Sequence, residues 1–228
     1  MMKREEVRAR IEEIGIIPIV RVSTAEEAFF AAEAVACGGI PIVEMAMTVQ
    51  GAADVISQLA RDAPQMIVGA GSVLDVEMAR VCVGAGAKFL TSEGFDAEVV
   101  EFASKAGVVV LPGALTPTEV IRAWKASADF VKVFPCAEMG GEIYIRALKA
   151  ALSQVPMVAA GGVTLSTAGN LILAGAAAIG VGRELIPTEA IKERRAGWVC
   201  ELARRFLGHV QDARSRTAAW KGSLSERK

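Results

Sequence analysis

The stretch ACGGIPIVEMAM, residues 36–47, decides the fold because it joins the end of a helix to a buried strand. Glycines after a helix-forming run are the usual C-terminal cap, since glycine adopts the left-handed conformation without a steric clash. The residues that follow, IPIVEMAM, are almost all apolar, which is typical of a parallel strand covered on both faces. The stretch therefore predicts a helix followed by a strand of a parallel sheet.

The same pattern recurs along the chain. It appears as GAGAKFLTSEG (84–94), KAGVVVLPG (105–113), SADFVKVFP (127–135) and LAGAAAIGVG (173–182). The apolar runs predict strands near residues 16–22, 40–46, 66–70, 88–91, 107–111, 130–134, 157–160 and 177–181. Runs such as TAEEAFFAAEAVACG and TPTEVIRAWKA separate them and are typical of helices. Eight strand–helix units predict one α/β domain over residues 1–228, a (β/α)8 TIM barrel.

The two ends of the chain extend beyond the eight units. Residues from about 2 to 14 predict a helix preceding the barrel, and residues from about 213 to 228 predict a loosely held C-terminal tail. The structural alternative is an open doubly wound sheet, because VGAGSVL (68–74) superficially resembles a dinucleotide-binding loop. That loop has only two of the three expected glycines and no acidic residue clearly ends a following strand, so the barrel is favoured.

Composition excludes several classes of partner. Lysine plus arginine number 25 against 26 aspartates and glutamates, so the net charge of −1 favours neither nucleic acid nor an anionic membrane as a partner. The charged start, MMKREEVRAR, does not suggest a signal peptide, and the longest apolar stretch, 171–182, is too short to span a bilayer. Four scattered cysteines indicate reduced thiols in the cytoplasm. The single histidine, His209, argues against a histidine-based metal site.

Charged side chains interrupt three of the predicted strands. The outer face of a barrel strand packs on apolar helices, so the two-residue period of a strand predicts that Arg21, Glu44 and Lys132 point into the barrel. All three lie toward the C-terminal halves of their strands, where barrel enzymes place their chemistry. A structural ion-pair network is the alternative. The convergence of three such residues at one end favours catalysis.

These residue types indicate a particular chemistry. Lys132 is a candidate Schiff-base nucleophile, and Glu44 is a candidate proton shuttle for forming the imine and cleaving a carbon–carbon bond. Glycine-containing loops follow the seventh and eighth strands, in MVAAGGVTLSTAGN (157–170) and AIGVGRELI (178–186). Barrels commonly bind phosphate between these two loops, so their glycines predict an anion site.

A set of motifs in order resembles a known family. The stretches IIPIVRV, IVEMAM, IVGAGSVL, LPGALTPTEV, FVKVFPCAEMGG and AAGGV resemble the 2-keto-3-deoxy-6-phosphogluconate (KDPG) aldolase family, which includes 4-hydroxy-2-oxoglutarate aldolase. The resemblance, over residues from about 14 to 190, implies a class I aldolase that needs no metal or cofactor and forms a homotrimer. It implies that Lys132 forms the Schiff base and that Glu44 is the general acid and base. The implied reaction cleaves a 2-keto-3-deoxy sugar acid phosphate to pyruvate and glyceraldehyde 3-phosphate.

The resemblance also implies where substrate is recognised. Ser72 stands where the family usually has a threonine that helps to hold the pyruvyl carboxylate. The residues expected to bind substrate are Arg21, Thr48, Ser72, Glu93, Pro112, Gly161, Gly162, Gly182 and Arg183.

Four positions depart from the family pattern. Thr48 replaces the usual carboxylate-binding arginine, Glu93 replaces a proline, Ala160 replaces a threonine and Arg183 replaces a serine. Arg21 can take over the carboxylate contact from the first strand, whereas Arg183 can bind a phosphate or a carboxylate at the far end of the substrate. Glu93 would repel an anion or accept hydrogen bonds from sugar hydroxyls. An altered substrate preference is therefore expected.

Two other functions remain open on the sequence alone. The same lysine could serve a decarboxylase of a 2-oxo acid such as oxaloacetate, which would release CO2 without needing an aldehyde. Alternatively, the four departures could mark a barrel that binds a sugar acid without turning it over. Retention of both Lys132 and Glu44 counts against simple binding, because a buried lysine–glutamate pair is not obviously stabilising in itself.

Overall fold

Strands and helices alternate along the chain in the computed structural model, which describes residues 2–225, with the backbone alone for 220–225. The strands are β1 (Ile16–Val20), β2 (Ile42–Ala46), β3 (Ile67–Gly71), β4 (Phe89–Thr91), β5 (Val109–Leu111), β6 (Gly113–Ala114), β7 (Val131–Val133), β8 (Met157–Ala160) and β9 (Ala178–Val181). The helices are α1 (Arg4–Ile14), α2 (Ala25–Cys37), α3 (Ala52–Asp62), α4 (Val76–Gly84), α5 (Ala97–Lys105), α6 (Pro117–Lys125), α7 (Glu142–Ala151), α8 (Leu165–Leu173), α9 (Thr188–Lys192) and α10 (Ala196–Ser225).

The strands form one parallel barrel. Their order is β5-β4-β3-β2-β1-β9-β8-β7-β6, and every strand pair is parallel. Strands β5 and β6 are separated only by Pro112, so they are two halves of one barrel strand, and the order closes on itself. Proline has no N–H to donate to a neighbouring strand, which accounts for the break. The predicted (β/α)8 barrel is confirmed, with its fifth strand divided in two.

Helix α1 precedes the barrel, as predicted for residues from about 2 to 14. Its inward side chains Val7 and Ile11 are fully buried. The Arg4 guanidinium donates to the Asp129 carboxylate at 2.8 Å, and the Arg8 guanidinium lies 5.8 Å from the centre of the Phe130 ring. Residues 129 and 130 come just before β7, so α1 covers the end of the barrel where the strands begin. The opposite end stays accessible.

Helix α10 packs across the outside of the barrel and continues to Ser225. Ala213 is buried, and the Arg214 guanidinium donates to the backbone carbonyls of Glu12, Glu13 and Ala177. These contacts attach the beginning of the predicted tail to the barrel, and its backbone is helical as far as residue 225. The last part of that prediction, residues 226–228, lies outside the described residues. No helix in the described part of the chain has the length and apolar character that crossing a membrane requires.

The barrel strands are buried on both faces, and few polar side chains share that environment. Within residues 2–219, the buried polar and charged side chains are Glu44, Thr91, Ser92 and Lys132. Burying an ionisable group is costly unless it is paired or has a chemical role. The positions of Glu44 and Lys132 therefore indicate where the site lies.

Candidate active site

Lys132 occupies the middle of β7, and its side chain is almost completely buried, with 3% of the residue exposed. Its backbone N–H donates to the Pro112 carbonyl at 2.9 Å, which fixes β7 against the divided strand. Its Nζ donates to the Thr91 hydroxyl at 3.4 Å and lies 5.6 Å from the centre of the Phe134 ring. The amine is thus held at one place by a hydroxyl on one side and an aromatic face on the other.

Glu44 lies in β2 and is also buried, with 2% of the residue exposed. Its Oε1 atom has no hydrogen-bond partner among the described residues. A buried carboxylate oxygen without a donor is costly, so this atom is well placed to accept a proton or hydrogen bond from a bound molecule. The space it occupies depends on Gly71 of the neighbouring strand β3. A Cβ atom on residue 71 would lie 2.0 Å from Glu44 Oε1.

Replacing Gly71 by alanine should therefore disable the site by moving the carboxylate. The added methyl group cannot coexist with Glu44 in its present position, so we expect kcat to fall by at least about tenfold, while the barrel stays folded. Steady-state kinetics and thermal unfolding would measure the two effects. Gly84→Ala is the matched control, because a Cβ at position 84 of α4 meets nothing within 4 Å. Equal losses in both variants would contradict this role of Gly71.

A second carboxylate, that of Glu93, lies between two cations. Its Oε1 accepts the Ser72 hydroxyl at 3.0 Å and lies 3.6 Å from Arg21 Nη2 and 3.8 Å from Lys132 Nζ. Arg21 Nη2 also donates to Ser72 Oγ at 3.5 Å. Glu93 is therefore compensated by positive charge and connects the first strand's arginine with the seventh strand's lysine. Its carboxylate contacts the groups expected to hold a substrate carboxylate.

These side chains meet in a cavity of about 280 Å³ at the C-terminal ends of the strands. The residues lining it are Ile19, Arg21, Glu44, Glu93, Lys132, Phe134, Ala160, Gly161, Gly162, Val163, Gly180, Gly182, Arg183, Glu184, Ile186 and Thr188. Charged groups in β2 and β7 and just after β1 and β4 form one side, and the glycine loops after β8 and β9 form another. This arrangement allows an amine, a proton-transfer carboxylate and anion-binding groups to act on one small molecule.

Three of the predicted substrate-binding residues lie outside this lining. Thr48 is exposed in the turn after β2. Ser72 follows β3 with a positive φ of 59° and reaches the site through its hydroxyl contact with Glu93. Pro112 is buried at the break between β5 and β6, where its carbonyl accepts from the Lys132 backbone. The structure brings the other predicted residues together.

The sequence prediction missed four residues of the site. Thr91 contacts the lysine amine, Gly71 leaves room for Glu44, and Glu184 and Thr188 line the far wall. Thr91 had a detectable signal, because its hydroxyl is a polar group in an otherwise apolar strand, as the Glu44 carboxylate is in β2. The turn that carries Glu184 has no periodicity from which its direction could be predicted.

Cys136 lies just beyond the lysine strand and is fully buried. Burial raises the pKa of its thiol to about 11, and the nearby Glu138 carboxylate acts in the same direction. The residue therefore remains a protonated thiol at neutral pH, which is unsuited to nucleophilic catalysis. Within the described residues, no group of three or more histidine, cysteine, aspartate or glutamate side chains is placed to hold a metal ion.

Sequence comparison identifies the family. The model described as "Aldolase: KDPG and KHG aldolase" matches residues 7–202, most of the chain. The chain belongs to this family. It is 30% identical over 197 residues to the 2-dehydro-3-deoxy-phosphogluconate aldolase of Treponema pallidum, covering 86% of this chain and 94% of that protein. It is also 30% identical over 200 residues to the 2-dehydro-3-deoxy-6-phosphogalactonate aldolase of Escherichia coli, covering 87% and 97%.

Solved structures of this aldolase family have the same fold. A KDPG aldolase from Legionella pneumophila, described with pyruvate captured as a covalent carbinolamine intermediate, superimposes with a TM-score of 0.80 at 27% identity. That match covers 87% of this chain and 96% of the other. A structure described as native KDPGal matches with a TM-score of 0.81 at 29% identity, over 88% and 96% of the two chains.

Proposed function

We propose that the protein is a class I aldolase that cleaves a 2-keto-3-deoxy sugar acid, or its phosphate ester, to pyruvate and an aldehyde. The observation that carries this proposal is the pair of buried ionisable residues, Lys132 and Glu44, lining one cavity at the C-terminal end of the barrel. Membership of the KDPG and KHG aldolase family supports it, as does the carbinolamine described for the Legionella relative. KDPG, with glyceraldehyde 3-phosphate as the aldehyde product, is the example that the relatives suggest.

The proposed reaction begins when the neutral Lys132 amine attacks the C2 carbonyl of the keto acid. The carbinolamine that forms loses water to give an iminium ion, which draws electrons from the bond between C3 and C4. Glu44 takes the proton of the C4 hydroxyl as that bond breaks, so that the aldehyde leaves and an enamine of pyruvate remains. Protonation of the enamine carbon and addition of water release pyruvate and restore the amine. The unpaired Glu44 Oε1 has the free acceptor that this proton transfer requires.

The substrate carboxylate is proposed to bind to Arg21 and Ser72. Arg21 is more than half exposed and is engaged through Nη2 alone, which leaves its other N–H groups available. A guanidinium binds a carboxylate through paired N–H donors, so it can accept a second carboxylate beside Glu93. Glu93 keeps compensating the positive charge at Lys132 when the iminium ion forms.

Removing the Arg21 guanidinium should weaken pyruvate binding. We expect Arg21→Ala to raise the KM for pyruvate in aldol addition by roughly ten- to a hundredfold, the equivalent of one charge-assisted contact. The same substitution should change the melting temperature little, because the side chain is exposed. Arg80→Ala, on the outer surface of α4, is the control. An unchanged KM would remove this role from Arg21.

The proposal is tested by trapping the imine. The protein is incubated with pyruvate and sodium borohydride, and its intact mass and peptide masses are measured. A reduced pyruvyl adduct on the Lys132 peptide is the expected result, and folded protein without an adduct would overturn the proposed mechanism. A second assay distinguishes the aldolase from the alternative, a 2-oxo-acid decarboxylase. The protein is incubated with oxaloacetate and no aldehyde, and the release of CO2 is measured. Release of CO2 by a protein that shows no aldol cleavage would favour the decarboxylase.

The resemblance to the aldolase family is the basis for what we expect of the oligomeric state and the location of the protein. We propose that the protein is a homotrimer acting in the cytoplasm. A structure described as a protein cage designed by fusing symmetric oligomeric domains supports an oligomer, since it matches with a TM-score of 0.84 at 28% identity, covering 93% of this chain and 78% of that one. Size-exclusion chromatography with light scattering tests the trimer, and a stable monomer would overturn it.

A further inference from the structure

Helices α2 and α10 approach each other closely where α2 ends. Gly38 follows α2, and a Cβ atom at this position would lie 2.3 Å from the Ala203 Cβ and 2.7 Å from the Cys200 carbonyl oxygen. Any larger side chain would clash with α10 at this spacing, so glycine is what lets the two backbones meet here. Residues 37 and 200 are therefore neighbours across the junction of the two helices.

Two free thiols meet at this junction. Cys37 is the last residue of α2 and is exposed, whereas Cys200 lies in α10 and is buried. Their Sγ atoms are 2.7 Å apart, although 163 positions separate the two residues in the chain. A disulfide bond is about 2.05 Å long, so the two sulfur atoms need to move less than about 1 Å to form one.

The two thiols differ in how they can react. Cys37 is exposed, so a reagent in solution reaches it first. The hydrogen bond with Cys37 raises the pKa of the Cys200 thiol, and burial acts in the same direction. Conversion of Cys37 to a mixed disulfide removes that hydrogen bond, which makes the Cys200 thiol easier to ionise. The pair therefore combines a thiol that meets the oxidant with a second thiol that can complete a bond.

We propose that Cys37 and Cys200 are a redox modification site, at which a small-molecule disulfide oxidises them to a bond that joins α2 to α10. The Cys37 thiolate attacks one sulfur of the small disulfide, whose S–S bond breaks and whose other half leaves as a thiol. Cys200 loses its proton to solvent, attacks Cys37 Sγ and releases the second half as a thiol. The cysteines lose two electrons and two protons, and the small disulfide gains them. In a reducing compartment the pair stays as two thiols until such an oxidant accumulates.

The position of the bond predicts an effect on stability. Cys37 lies a few residues before β2, at the end of the barrel where the strands begin, whereas the cavity lies at the opposite end. A bond between positions so distant in the chain strongly restricts the unfolded protein. Oxidation should therefore stabilise the folded protein without involving the cavity, and the inference is independent of the proposed aldolase function.

The test treats the folded, reduced protein with oxidised glutathione, a small-molecule disulfide. The intact mass should fall by that of two hydrogen atoms, and a peptide map without reductant should join the peptides that carry Cys37 and Cys200. Cys200→Ser should instead stop with one glutathione on Cys37, because the second thiol is missing. Cys82→Ala is the control. The Cys82 thiol is buried in α4, where burial raises its pKa to about 11, so its removal should leave the bond intact.

Thermal unfolding provides the second measurement. The melting temperature should rise by about 5 °C or more on oxidation and return to its first value with dithiothreitol, whereas Cys37→Ser should show no rise. Two thiols that stay reduced, or glutathione that remains on Cys37 of the unmodified protein, would overturn the inference. A bond to Cys82, to Cys136 or to a second copy of the chain would also overturn it. Equal melting temperatures of the oxidised and reduced protein would contradict the stabilising effect.

Discussion

Replacing Lys132 by methionine should abolish the reduced pyruvyl adduct and lower kcat for aldol cleavage by at least roughly a thousandfold. Methionine matches the length of the lysine stem but has no nucleophile, so neither the carbinolamine nor the imine can form. The Glu93 carboxylate loses Lys132 as a neighbour, but it is partly exposed and still has Arg21 as a partner. The substitution should therefore not unfold the barrel. Borohydride trapping, steady-state kinetics and thermal unfolding measure the three expectations.

Lys149 provides the control for that experiment. Burial lowers the pKa of its amine, so it is a second lysine whose environment favours the neutral form. Its Nζ donates to the backbone carbonyls of Ser153 and Val155, at 2.7 and 2.8 Å, and it lies outside the cavity lining. Lys149→Met should therefore retain the adduct and the turnover per folded molecule. An adduct that persists in Lys132→Met and disappears in Lys149→Met would contradict the assignment.

The barrel could be predicted from the sequence because its signals are local and repeated. Several helices, such as α1, α2, α4, α5 and α8, end at or near a glycine, and the strands are short apolar runs, as in IPIVEMAM. The division of the fifth strand was not predicted. Pro112 is a signal for it in the sequence, because a residue without an N–H interrupts the hydrogen bonds between neighbouring strands. The contacts at the start of the predicted tail could not be obtained from the sequence, because Arg214 donates to carbonyl groups about 40 and 200 positions away.

The residues of the candidate site that lie within strands could be predicted from the sequence, whereas those in the turns after the strands could not. The alternation of side chains along β2 and β7 correctly places Glu44 and Lys132 inside the barrel, because successive side chains of a strand point to opposite faces of the sheet. Phe130 lies two residues before Lys132 and packs against Arg8 at the opposite end from the cavity, whereas Phe134, two residues after it, lines the cavity. Thr48 falls in a turn, where no period sets the direction of a side chain.

The contacts of Glu93 could not be obtained from the sequence at all. Its three partners lie in β7 or just after β1 and β3, and which of these residues meet depends on the stagger of the closed barrel. The sequence interpretation treated Glu93 as a group that repels an anion or accepts hydroxyls. In the structure the Glu93 carboxylate lies between Arg21 and Lys132, which compensate its negative charge.

Replacing Glu44 by glutamine should slow proton transfer while leaving pyruvate binding nearly intact. Glutamine has almost the same shape, so it fits the space beside Gly71, but it cannot take up a proton at neutral pH. We expect kcat for cleavage to fall by about a hundred- to ten-thousandfold, the usual contribution of a positioned acid or base, with a much smaller change in KM. The pyruvyl adduct should still form, more slowly, because Lys132 remains. Rapid quench with borohydride would separate adduct formation from steady-state turnover.

The pH dependence distinguishes proton transfer by Glu44 from a purely structural role. If Glu44 is the base, the acidic side of the pH–rate profile should change shape in Glu44→Gln, because one of the groups that must lose a proton is gone while the Lys132 amine, which must also be neutral, remains. A structural defect would lower the whole profile without changing its shape. A profile of unchanged shape together with nearly normal kcat would exclude Glu44 as the base and point to Glu93, whose carboxylate is 3.8 Å from Lys132 Nζ. Glu93→Gln would then be the variant whose profile changes shape, and Glu44 would be left as a buried carboxylate with a binding role alone.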